Sequence, residues 1–86
     1  MPQISQFFGI VVLMYFNDHA PAHFHATYGE HEAVYTIDTL EIMRGRLPRR
    51  AHGMVVEWAT LHRKELRENW EKARQMVPMQ KIDPLD

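Results

Sequence analysis

Three histidines stand within seven positions in the segment His19-Ala20-Pro21-Ala22-His23-Phe24-His25. On an extended chain, side chains at alternate positions share a face with Cα atoms about 6.6 Å apart, so His23 and His25 point together and Phe24 points away. Two imidazoles at that separation can reach one metal ion. His19, across the turn at Pro21, is placed to fold back as a third ligand, leaving water the fourth position of a tetrahedral site for zinc or a similar divalent ion. The same groups suit metal-free acid–base catalysis, because imidazole exchanges protons near neutral pH; one ring then serves as base, a second as acid, and Tyr28 or an arginine stabilises charge. An architectural alternative has His19 and His23 bonding backbone carbonyls around the proline turn while His25 pairs with a carboxylate across the strand. His31, a fourth histidine close by, falls in the next turn and is expected to be exposed.

A second chemical cluster is Arg44-Gly45-Arg46-Leu47-Pro48-Arg49-Arg50. It lies at the expected start of a helix, where the dipole disfavours cations and attracts anions. Arg44, Arg46, Arg49 and Arg50 are therefore candidates for holding a phosphate or carboxylate from RNA, a nucleotide or an acidic partner. The alternative is four solvated arginines with Asp38 or Glu41 nearby.

The elements that must position these groups divide at Leu47-Pro48. Before it the chain is β-branched, aromatic and punctuated by glycine; after it helix formers run almost unbroken. This predicts an α+β fold, strands first, in an antiparallel meander of about four strands at 7–16, 23–28, 32–37 and 40–43, since every connection is too short for a parallel crossover. One long helix follows at 49–76, opened by Pro48 and stopped by Pro78. Ala51, Val55, Trp58, His62, Leu66, Trp70 and Ala73 form its buried stripe, with His62 placed to bond into the sheet or reach the histidine cluster. Such a helix would measure about 40 Å, long for so small a sheet, so a bend near 60–64 or a protruding end is expected. The residues after Pro78 should run extended.

The 86 residues form a single domain, 1–86, with a thin core that a second subunit would help to stabilise. Hydrophobic residues at 45% and charged residues at 24% place the chain among ordinary globular sequences. With no cysteine, disulfides, thiolate ligands and cysteine nucleophiles are excluded, and a reducing cytoplasm is the expected location. The longest apolar run, Phe7 to Phe16, is too short to span a bilayer. A formal net charge of −1 means that contact with nucleic acid must use a local patch.

Over nearly its whole length the chain resembles the small prokaryotic family designated domain of unknown function 4160. Members typically read His-x-Pro-Pro-His-Phe-His, then Gly-x-Leu-Pro, Glu-Trp-Ala, Leu-His-Arg and Asn-Trp. Here these words fall on His19, Pro21, His23 to His25, Gly45, Leu47-Pro48, Glu57-Trp58-Ala59, Leu61-His62-Arg63 and Asn69-Trp70. Ala22 departs from the pattern, standing where the family usually has its second proline. The resemblance implies the toxin-like member of a two-protein toxin–antitoxin module with a small antitoxin-like protein partner. Combined with the histidines and arginines, it leads to an expected action on RNA. The alternatives are a non-catalytic metal- or ligand-binding module built on His19, His23 and His25, and a pure interaction domain.

Overall fold

The structure, a computed structural model, describes residues 3–86. Five strands, β1 (Gln3–Phe7), β2 (Ile10–Leu13), β3 (His23–Tyr28), β4 (His31–Thr36) and β5 (Ile42–Arg46), form one antiparallel sheet in the order β1-β2-β3-β4-β5. Two helices, α1 (Arg49–Leu61) and α2 (Arg63–Arg74), complete an α+β fold.

The segment read as one strand over 7–16 is two strands joined by a tight turn. Phe7 pairs with Ile10, and Phe8 and Gly9 between them both have positive φ. That is the geometry of the two-residue turn that matches strand twist. The apolar run concealed it because phenylalanine rarely occupies such a position. Gly29 supplies the positive φ of the β3–β4 turn, where Tyr28 pairs with His31. The last strand occupies 42–46 rather than 40–43, and Gly45 lies inside it. A Cβ there would collide with the Glu32 carbonyl oxygen, so only glycine lets β5 approach β4 this closely.

Phe24 and Tyr35 are paired across β3 and β4 and stack with ring centroids 5.4 Å apart. Trp58 of α1 packs on Phe24 and on Phe7, which places α1 against this face. Residues opposite one another share a face. His25, paired with Leu13 on one side and Val34 on the other, therefore stands on the other face.

The helix expected over 49–76 is divided at His62, whose φ of −119° leaves the helical range. Its N–H is shared between the Trp58 and Ala59 carbonyls, and its Nδ1 lies 2.6 Å from Glu65 Oε1. The break falls where the length of the pattern demanded a bend. The longest dimension of the protein is 33 Å, too short for an unbroken helix of that span. Ala51, Val55, Trp58, Leu66, Trp70 and Ala73 are buried as expected, whereas His62 is only partly covered. The tail is extended but docked: Asn69 bonds the Gln80 backbone on both its N–H and C=O, the Trp58 indole donates to the Asp83 carbonyl, and Ile82 is buried. Among the described residues, no helix is long and apolar enough to cross a membrane.

Candidate functional site

His23 and His25 project from β3 on one face, as strand parity requires, with ring centroids 5.5 Å apart and both residues more than nine-tenths buried. Each ring is fixed through Nδ1. His23 Nδ1 donates to the Pro21 carbonyl at 2.7 Å, and His25 Nδ1 donates to Glu32 Oε2 at 3.1 Å across the β3–β4 ladder. Both rings therefore turn Nε2 toward the loop that joins β2 to β3.

Asp18, from that loop, meets them. Its Oδ2 lies 2.9 Å from His23 Nε2 and 3.8 Å from His25 Nε2. One ligand atom from each of Asp18, His23 and His25 stands within 4.8 Å of the others. Tetrahedral bonds of about 2.0–2.1 Å would set such atoms roughly 3.3 Å apart, so holding one ion would draw the trio together by up to about 1.5 Å. Two further observations concern the unfilled valences. His23 faces acceptors on both nitrogens, which calls for a hydrogen on each or for a cation between Nε2 and Asp18. His25 Nε2 is buried and has no hydrogen-bond partner among the described residues, an arrangement that costs about 1–3 kcal/mol unless something binds there.

Burial tends to raise the pKa of Asp18. The His19 backbone N–H, the bond to His23 and the two imidazoles outweigh it, so the carboxyl is held below the ordinary carboxylate range and stays anionic at neutral pH. Packing holds the trio from both sides: the Tyr15 ring meets His25 edge-on at 4.7 Å and Trp70 of α2 lies 5.1 Å from His23. The Asn17 N–H donates to the Ala73 carbonyl, tying the loop to α2. A cleft of about 420 Å³ opens above the trio, bounded by Tyr15, His19, Val34, Met43 and Arg44.

The residues anticipated from spacing are only partly assembled. His19 reaches the cleft wall but is exposed; its backbone N–H bonds Asp18 Oδ1, and its ring is not one of the converging ligands. The third converging group is Asp18, a residue that reads in sequence as turn chemistry. A carboxylate five positions before a His-x-His pair, across a proline loop, was the available signal. The carbonyl bond of His23 and the carboxylate partner of His25 match the architectural alternative, and they coexist with convergence because they use Nδ1 and leave Nε2 to face Asp18.

The four arginines do not form one patch. Arg44 borders the cleft of the trio, Arg46 and Arg49 border a second with His31 and His52, and Arg50 borders a third with Phe8 and Tyr28. Tyr28 is thus away from the histidines, and His62 is held by Glu65 beside Trp58 rather than at the cluster. Asp38, considered as a partner for the cluster, instead pairs with Arg67.

Residues 9–71, well over half of the chain, match the model of a family described as domain of unknown function (DUF4160). No curated protein and no solved structure matches the chain. The matched span contains Asp18, His23, His25, Glu32 and Trp70.

Proposed function

The chain belongs to the DUF4160 family, and on the geometry inside that span we propose that it is a metal-binding module holding one divalent transition ion, zinc or a similar metal, on Asp18, His23 and His25. The observation that carries this reading is the orientation of the two rings. Metal-ligating histidines characteristically donate their second N–H to a carboxylate or backbone carbonyl, which fixes the tautomer and aims the other nitrogen. Pro21 O and Glu32 do this for His23 and His25, and the aimed nitrogens meet an anionic carboxylate. Two imidazoles and one carboxylate suit zinc or iron(II) and would leave at least one coordination position for a water or another ligand. The cysteine-free sequence agrees with a cytoplasmic location. Elemental analysis and zinc titration of protein prepared without a polyhistidine tag test the reading. About one ion per chain is expected for the wild type and none at comparable affinity for Asp18→Ala or His25→Ala. No saturable binding by the wild type overturns it.

A second reading, the toxin-like member of a two-protein module acting on RNA, draws support from Arg44, which places a cation on the wall of the histidine cleft. Its test is growth on expression with and without a small partner protein. Wild type should arrest growth and His23→Ala/His25→Ala should not; no effect of wild type removes it.

A further inference from the structure

Arg44 is positioned to act with the metal rather than with the other arginines. His25, Val34 and Arg44 occupy directly opposed positions on β3, β4 and β5, and all three border the cleft. Two strand spacings, about 10 Å, separate the backbones of His25 and Arg44, a gap that an arginine side chain is long enough to narrow to the width of a small ligand. Other arginines are engaged: Arg67 with Asp38, Arg74 with Glu71, and Arg63 with the Ile37 carbonyl. Arg44, like Arg46, Arg49 and Arg50, has no hydrogen bond or ion pair among the described residues, and of these four it is the one that borders the cleft of the trio.

Charge fixes the sign of the missing ligand. A divalent ion with Asp18 sums to +1 and Arg44 adds +1, while Glu32, bonded to His25 from outside, subtracts one. With an ion bound, the cleft would retain a net positive charge, and the planar five-donor fork of Arg44 belongs to its wall. Resting on the metal reading above, we infer that the cleft binds a small oxyanion, one oxygen on the metal and another on the Arg44 guanidinium. The shared chemistry is two oxygens on one centre, as in a phosphate monoester or a carboxylate. Because Arg46, Arg49 and Arg50 face other clefts, the site accommodates a compact anion and not a polyanion.

The test uses the full chain loaded with cobalt(II), whose visible absorption reports first on metal binding and then on any ligand that enters its coordination sphere. Inorganic phosphate and acetate are titrated separately. The expected result is a saturable spectral change with at least one of them, phosphate favoured if the ligand is a phosphate ester and acetate if it is a carboxylate. Arg44→Ala should bind cobalt with wild-type affinity and spectrum yet bind the oxyanion about tenfold more weakly or worse, the loss of one charge-assisted contact. Arg44→Lys should recover part of the loss. Full cobalt binding without response to either anion, or an Arg44→Ala variant that responds like wild type, overturns the inference and leaves the metal reading standing. An oligoribonucleotide that binds with equal dependence on Arg44, Arg46 and Arg49 marks an extended polyanion surface and also overturns it. If wild type takes up no cobalt, the metal reading itself fails and this inference falls with it.

Discussion

Glu32 reaches His25 from the neighbouring strand with a half-exposed side chain, so it can be altered with little cost to the core. Glu32→Ala is expected to weaken zinc affinity about 10- to 100-fold while leaving the thermal midpoint nearly unchanged, the behaviour of a residue that orients a ligand. Glu32→Gln, which keeps an acceptor oxygen, should stay closer to wild type; competition with a chelator of known affinity measures both. Tyr35 gives a separate prediction. Burial pushes its phenol up to about 12 from an ordinary 10.0, and its hydroxyl bonds His52 Nδ1 at 2.8 Å. The folded protein resists ionising this group more than the unfolded chain does, so the associated stability is complete below about pH 10 and is lost as pH rises through about 12. Denaturant midpoints across that window should fall for wild type, and Tyr35→Phe should flatten the fall. At this scale, strand parity was enough to put His23 and His25 on one face and Phe24 in the core. Asp18 was hidden, because the path of the loop from Met14 to Ala22 decides which side chain turns inward, and no periodicity governs a loop. The spacing put His19 forward as the third member, whereas in the folded loop the His19 backbone N–H bonds the Asp18 carboxylate and it is Asp18 that faces the two rings.

Among the elements, β5 shows how backbone conformation supports the site. Gly45 has φ of +70° and no room for a Cβ against the Glu32 carbonyl. Gly45→Ala is expected to cost about 1–3 kcal/mol or more. That lowers the thermal midpoint by roughly 4–8 °C per kcal/mol in a domain of this size. Because the displaced backbone is that of Glu32, zinc affinity should fall as well, which separates this change from destabilisation elsewhere in the sheet. The β3–β4 hairpin was legible from Gly29-Glu30 and its flanking strands. The Phe8-Gly9 turn was not, since an apolar residue in a positive-φ position gives no turn signal and the surrounding run reads as one strand. Gly45 was read as a strand end because glycine more often ends a strand than kinks it from within. His62 breaks the helix without proline or glycine, so composition did not mark it. The excess length of the hydrophobic pattern did.

For the molecule as a whole, the Cα radius of gyration of 11.6 Å agrees with the roughly 12 Å expected of a compact chain of this length. The break at His62 and the docked tail are what make that compactness attainable. Asn69 is buried, and its amide is the tail's polar anchor. Asn69→Ala should cost about 1–3 kcal/mol through the backbone groups left without partners, and limited proteolysis should cut first after Met76. Saturating metal should act in the opposite direction. Zinc at a hundred times its dissociation constant is expected to add about 2.7 kcal/mol of stability, an increment absent from His23→Ala/His25→Ala. Anomalous diffraction at the zinc edge, from crystals grown with zinc, decides whether Asp18, His23 and His25 converge on one ion. One strong peak per chain is expected, about 2.0–2.2 Å from a nitrogen of each histidine and an oxygen of Asp18. A map with no peak there, and Asp18 still bonded to His23 as it is without metal, would contradict it.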